Sequence, residues 1–245
     1  MTTLFISDLH LEADSPQIAE QFIALLESEA RDADALYILG DLFESWIGDD
    51  DPNEHYALIR QALRKLVDQD VPVYFMHGNR DFMIGEDFAS ETGVRILPDP
   101  YVLEIHGTRV LLSHGDAYCT DDVEYQEVRK MTRDPQWQAM MLTKPVQERL
   151  EFAARAREAS LAHGDAVNED ITDVNGEAIE QALREADVGI MLHGHTHRPH
   201  VHSLTVDGRD CTRIVLGDWF ERGSVVRWDE DGPVLSPIQR REWHV

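Results

Sequence analysis

Apolar residues along this chain come in two rhythms. Short uninterrupted runs at 4–7, 35–39 and 71–76 have the length and density of strands buried on both faces. Between them, Ile18, Phe22, Ile23, Leu25 and Leu26, and then Tyr56, Ile59, Leu63, Leu66 and Val67, recur at helical spacing after Pro16 and Pro52. The order β-α-β-α-β predicts a sheet covered by helices. The pattern then changes. Residues 102–105 and 109–112 flank His106-Gly107-Thr108 and read as a hairpin. Residues 120–168 read as helical, with Trp137, Met140, Met141, Leu142, Leu150 and Phe152 supplying apolar surface, before strands resume at 189–193, 213–216 and 224–228. The expectation is an α/β fold in which residues 1–245 form one domain, with a helical cap inserted at about 120–168.

Composition narrows the class. No apolar run approaches the ~18 residues that span a bilayer, and no basic flank precedes the short apolar stretch at the N-terminus, so neither export nor insertion is expected. Two cysteines, Cys119 and Cys211, are too few for a disulfide framework and suit a reducing compartment. The formal net charge of −25 repels nucleic-acid phosphate, which argues against a DNA- or RNA-binding role. The acidity is uneven: residues 129–157 hold seven bases against three acids, a local +4.

Five apolar strands each end in a cluster of hard ligands: Asp8-Leu9-His10, Gly40-Asp41, Gly78-Asn79-Arg80-Asp81, Ser113-His114-Gly115-Asp116 and Gly194-His195-Thr196-His197. Ligands of α/β sheets bind outside the carboxyl ends of strands, so these clusters should converge on one crevice. Asp8 with His10, and His195 with His197, stand two apart, and in an extended chain each pair would point to one side. Carboxylates, imidazoles and an amide oxygen without thiolates suit first-row divalent ions. Seven candidate ligands are too many for one ion and suit two sharing a carboxylate, an arrangement that activates water and stabilises in-line phosphoryl displacement. His193 reads as structural, His200 and His202 as surface groups, and His77 as a support behind the ligands.

The ordered set resembles the calcineurin-like metallophosphoesterase superfamily, whose pattern is D-x-H, G-D, G-N-[HR]-[DE], G-H and G-H-x-H, over about residues 4–198. The resemblance implies an αββα sandwich. It also implies one metal on Asp8, His10, Asp41 and His197 and a second on Asp41, Asn79, His114 and His195, with Asp41 bridging. Most members carry His after Gly-Asn, where it protonates an alkoxide; here the residue is Arg80, a permanent cation that clamps phosphate but delivers no proton. That suits a pyrophosphate, whose phosphomonoester leaving group has a second pKa of about 6 and departs unprotonated.

Further strings, among them Trp46-Ile47-Gly48-Asp49-Asp50-Asp51, Cys119-Thr120-Asp121-Asp122, Asp173-Val174-Asn175 and His193-Gly194-His195-Thr196-His197-Arg198-Pro199, resemble the UDP-2,3-diacylglucosamine pyrophosphatases of lipid A synthesis. That resemblance implies water attack at the α-phosphorus, giving UMP and 2,3-diacylglucosamine 1-phosphate, with Mn²⁺ as the divalent ion. Asp41, Asn79, Arg80, His114 and His195 would carry the catalysis. Asn79, Arg80, Asp122, Ser160 and His195 match substrate contacts, and two more family contacts, Asn and Lys, fall on Gly164 and Val167. The insertion would cover the acyl chains or simply pack on itself, with Arg155 and Arg157 facing the pyrophosphate. The implied partners are a lipid-linked nucleotide sugar and the cytoplasmic face of a Gram-negative inner membrane, with no obligatory protein partner. The basic stretch, through Arg129, Lys130, Arg133 and Lys144, would dock on that membrane. Two alternatives compete: a general nucleotide or protein phosphodiesterase or phosphatase, and a non-catalytic scaffold, which should lack ligands that this chain retains.

Overall fold

The fold comes from a computed structural model, which describes residues 2–166, 171–220 and 223–238. The first half alternates as expected through β1 (Thr3–Ile6), α1 (Pro16–Glu27), β2 (Ala35–Leu39), α2 (Glu54–Val67) and β3 (Val73–Met76), and the structure adds α3 (Glu86–Thr92) and β4 (Arg95–Leu97), which the sequence pattern does not predict. The hairpin β5 (Tyr101–Ile105) and β6 (Thr108–Ser113) follows. Its two-residue loop, His106-Gly107, has positive φ at both positions, the twist a tight hairpin needs. Three helices, α4 (Val123–Thr132), α5 (Pro135–Leu142) and α6 (Val146–Ala166), then separate β6 from α7 (Gly176–Ala186) and β7 (Ile190–His193). The chain closes with β8 (His200–Val206), β9 (Arg209–Val215), β10 (Ser224–Asp229) and β11 (Gly232–Pro237).

The strands form two sheets, ordered β11-β10-β1-β2-β3-β4 and β5-β6-β7-β9-β8. β1 through β4 are parallel neighbours, as are β6, β7 and β9. Period-two alternation explains how the sheets stack. Phe5, Tyr37, Leu39 and Met76 face Val110, Leu112, Leu192 and Ile214 across the sandwich. Their sequence neighbours Leu4, Ile6, Leu36, Ile38, Val73 and Phe75 point outward onto Ile18, Phe22, Ile59, Leu63 and Phe88 of α1–α3. α7 covers the other sheet, setting Ile179 and Leu183 on Leu111 and Met191. The layers are therefore α, β, β, α.

Local chemistry fixes the helix starts. Pro16 occupies the first turn of α1, while Asn53 and Asn175 cap α2 and α7 by accepting from His55 and Ala178 backbone N–H groups. The layering has one functional consequence. β1, β2 and β3 in one sheet and β6 and β7 in the other all point their carboxyl ends the same way, so the five clusters meet at one end of the sandwich.

Candidate active site

The convergence is real, but its backbone is not extended. Asp8, His10, Asp41, His195 and His197 all have φ between 51° and 68°. The expectation that alternation in an extended strand aims each pair is therefore corrected: each of these five residues is turned inward by a left-handed kink beyond its strand. The kinks are held from both sides. Asp8 N donates to Gly40 O at 3.1 Å and His10 N to Asp41 O at 3.0 Å, while the Asp8 carboxylate accepts from His195 N at 3.0 Å and from Ser7 Oγ. Glycines are required where loops touch. A Cβ on Gly78 would collide with Asp41, and one on Gly194 with Asp8 and Ser7.

Among the described residues two overlapping groups have the geometry to hold a metal ion: Asp8, His10 and His197, and Asp8, Asp41 and His114. Asp41 lies between them, its Oδ2 3.8 Å from His10 Nε2 and 3.7 Å from His114 Nε2. The imidazoles are aimed by their other nitrogens. His114 Nδ1 lies 2.9 Å from Leu39 O, His10 Nδ1 2.8 Å from Glu44, and His197 Nδ1 3.6 Å from Asp218, so each Nε2 turns toward the crevice. His10 and His197 bring their Nε2 atoms within 3.1 Å of each other beside Asp8. A donor set of this kind, carboxylate and imidazole with no thiolate, suits a divalent first-row ion. Burial pushes the Asp8 carboxyl up, but the hydrogen bond with His197 and the charges of His197, His114 and His10 outweigh it and leave it well below the usual carboxylate range.

Asn79 joins the group, its Oδ1 3.0 Å from His114 Nε2, and the His195 and His114 rings sit 5.1 Å apart. Asp81, two residues on, does not pair with Arg80. Its buried carboxylate accepts from Gly78 N at 2.8 Å and Leu42 N at 2.7 Å and ties the two glycine loops together; burial and the Asp41 carboxylate push it up to about 7. Arg80 is thereby free to face the crevice, with Nη2 3.4 Å from Ser160 Oγ and Nη1 3.8 Å from Glu44.

Two cavities meet at this loop. A polar one of about 210 Å³ is lined by His10, Asp41, His195, His197, Asp122 and Ser160. An apolar one of about 290 Å³ runs under α6 between Trp46, Phe82, Met83, Met141 and Phe152. Asn79 and Arg80 line both. Arg157 lines the apolar cavity and pairs with Glu44, whereas Arg155 is exposed on α6 and lines neither, which corrects the expectation that both face the site. Asp122 caps α4 through Tyr125 N and meets His163 at 2.8 Å. Val167 lies outside the described residues.

Several side chains that serve the site carried no assigned role in the sequence. Glu44 follows the Gly40-Asp41 cluster by three residues, and its spacing gives no sign that it reaches His10. Asp116 ended a recognised cluster; it is buried and accepts from Tyr125 Oη and Arg129 Nε, each at 3.0 Å, and from Arg133 at 3.4 Å. His163 and Tyr125 also line the polar cavity. His77 braces the Asn79 loop from outside, its ring meeting Ile84 O at 2.7 Å. His193 is buried and half of an internal contact with Arg213, as a structural histidine should be.

Three of the seven bases in the basic stretch are spent inside the protein. Arg129 and Arg133 point inward at Asp116, and Arg133 also donates to Gly78 O at 3.0 Å. Arg149 is nearly buried; it pairs with Asp50 and donates to Ile47 O and Lys144 O. Membrane docking through Arg129 and Arg133 is thus corrected: both are already committed to a buried carboxylate. Arg149→Met should leave the carbonyls of Ile47 and Lys144 without their donor and destabilise the protein by about 1–3 kcal/mol. A urea titration should show a lower midpoint at unchanged slope, and an unmoved midpoint would contradict the anchoring role.

A two-sheet sandwich with carboxylate and imidazole loops at one end is the setting of a metal-dependent phosphoesterase. The chain belongs to the calcineurin-like phosphoesterase family, whose model matches residues 1–199. It is 52% identical over 247 residues to the UDP-2,3-diacylglucosamine hydrolase of Stenotrophomonas maltophilia, covering 98% of this chain and all of that one. The UDP-2,3-diacylglucosamine hydrolase of Xanthomonas oryzae pv. oryzae is 51% identical over 243 residues, covering 96% of this chain and 98% of its own. That of Xanthomonas axonopodis pv. citri is 49% identical over 245 residues. Membership of the family implies divalent metal ions.

Proposed function

We propose that this phosphoesterase hydrolyses the pyrophosphate bond of UDP-2,3-diacylglucosamine, releasing UMP and 2,3-diacylglucosamine 1-phosphate in lipid A synthesis. The observation that carries this reading is the junction at Asn79 and Arg80, where a polar cavity at the candidate metal centre meets an apolar cavity. Such a junction fits a substrate with a phosphate-rich half and an acyl half, and the relatives named for this activity support it. A general phosphodiesterase has no use for the apolar half.

In this reading Asp8, His10, Asp41 and His197 hold one ion and Asp41, Asn79, His114 and His195 the other, both Mn²⁺. When bound, such a pair supplies hydroxide at neutral pH and stabilises charge on the transferring phosphoryl group. The chain's own groups do the rest. Arg80 and Arg157 hold phosphate oxygens, Asp122 and Ser160 contact the sugar, and residues 120–168 act as a cap whose apolar lining excludes water around the acyl chains. Incubation with Mn²⁺ and UDP-2,3-diacylglucosamine should yield UMP, EDTA should stop it, and added Mn²⁺ should restore it. Turnover of bis(p-nitrophenyl) phosphate without UMP formation would favour the general phosphodiesterase instead.

The enzyme would collect its substrate as a peripheral protein on the cytoplasmic face of the inner membrane. Among the described residues no helix is long and apolar enough to cross a membrane. The cap exposes Met140 and Leu142, each at 47%, with Lys130 on α4 and Lys144 in the connection between α5 and α6. Apolar side chains and lysines together give weak, salt-sensitive binding to anionic lipid. Met140→Asp with Leu142→Asp should reduce co-sedimentation with anionic vesicles; equal sedimentation with wild type would exclude this face.

A further inference from the structure

We propose that Glu44 is a positioning residue that couples metal binding at His10 to anion binding at Arg157. Only 8% of its side chain is exposed, and its two oxygens are divided between the two halves of the site. Oε2 lies 2.8 Å from His10 Nδ1, on the ring edge opposite the crevice. Oε1 pairs with Arg157 Nη1 and stands 3.8 Å from Arg80 Nη1. The backbone holds Glu44 in this position, its N–H donating to Leu11 O at 3.1 Å, so the carboxylate sits between the loop after β1 and the loop after β2.

The coupling follows from charge. A buried carboxylate needs compensation, and here three groups supply it: the His10 N–H, Arg80 and Arg157. Of these, Arg157 comes from α6, is 41% exposed, and lines the apolar cavity with Arg80. A phosphate arriving at Arg80 and Arg157 draws both guanidinium groups off Glu44. The carboxylate is then left to His10 Nδ1–H, which it faces at 2.8 Å without an aligned hydrogen bond while the guanidinium groups hold it; forming that carboxylate–imidazole hydrogen bond makes Nε2 the better metal ligand. Run in reverse, a cation at Nε2 polarises Nδ1–H, satisfies Glu44 and releases Arg157 toward an anion. Free-energy linkage makes the two effects equal. This inference rests on the reading above that His10 holds an ion and that phosphate lies at Arg80 and Arg157.

Mn²⁺ affinity, measured from the signal of free Mn²⁺ in electron paramagnetic resonance, tests it without turnover. Wild type should bind Mn²⁺ at least about fivefold more tightly when saturated with UMP. Glu44→Gln should weaken Mn²⁺ binding about 10- to 100-fold and lose the UMP enhancement. Arg157→Met, a change at a side chain 41% exposed, takes one guanidinium off Glu44 permanently and should therefore bind Mn²⁺ more tightly than wild type in the absence of UMP, with little further gain when UMP is added. The double variant should behave as Glu44→Gln alone. Thermal melts separate these results from simple unfolding. A UMP enhancement that survives in either single variant, or wild-type Mn²⁺ affinity in Glu44→Gln, overturns the coupling while leaving the metal centre standing. Wild type that binds no Mn²⁺ overturns both.

Discussion

Asp41→Asn should cost this enzyme at least a hundredfold in turnover while leaving it folded. Asp41 Oδ2 lies within 4 Å of both His10 Nε2 and His114 Nε2, and Oδ1 accepts from Arg80 N at 2.8 Å. Asparagine keeps the shape and can keep the Arg80 hydrogen bond, but it removes the one negative charge that two neighbouring ions would share. Loss of that charge should raise the barrier by about 3 kcal/mol or more. The fold should tolerate the change, since neutralising Asp41 relieves repulsion with the buried Asp81. Steady-state rates at saturating Mn²⁺, with melting curves alongside, check both halves. A variant that keeps more than a tenth of wild-type kcat would show that Asp41 does not bridge.

Arg80→Lys is expected to lower kcat/KM about 10- to 100-fold, the worth of one charge-assisted hydrogen bond. Lysine keeps the charge but replaces a planar fork by a point donor on a flexible stem. Arg80 is well placed for the fork, since Asp81 is fully used by backbone N–H groups and makes no claim on the guanidinium. The second half of the expectation concerns the proton. Arg80→His introduces the titrating group that most of the superfamily has at this point, yet a phosphomonoester leaving group has no need of a general acid. The His variant should therefore stay impaired across pH 6–9. Full activity at any pH in that range would end the leaving-group argument.

The clusters that carry the chemistry were legible because each follows an apolar strand, and strands of a parallel sheet deliver their ends to one side. The layer order was legible for the same reason. Elements with weaker signals were not. α7 is strongly one-sided behind its Asn175 cap, but it is short and buries only Ile179 and Leu183, too few apolar positions to stand out from the long helical segment before it. β8 is an edge strand with only Val206 fully buried, and β11 begins beside one proline and ends on another, a pattern that argues against a central strand. Roles that depend on distant contacts left no local trace. Nothing in the spacing of Glu44 points to His10, and the basic stretch read as surface until Asp116 and Asp50 were seen to absorb three of its arginines.

The left-handed kinks under Asp8, His10, Asp41, His195 and His197 set stability against activity at the same five α-carbons. An L-residue held there costs about 1–2 kcal/mol, which glycine would not incur. Other interactions in the fold must offset that cost, so the crevice is preorganised at the expense of melting temperature. Glycine would relieve the strain only by deleting side chains that also tie the loops together, as the Asp8 carboxylate does by accepting from His195 N and Asp41 by accepting from Arg80 N. Engineering for durability should therefore begin at the sheet edges and the cap and leave these turns untouched.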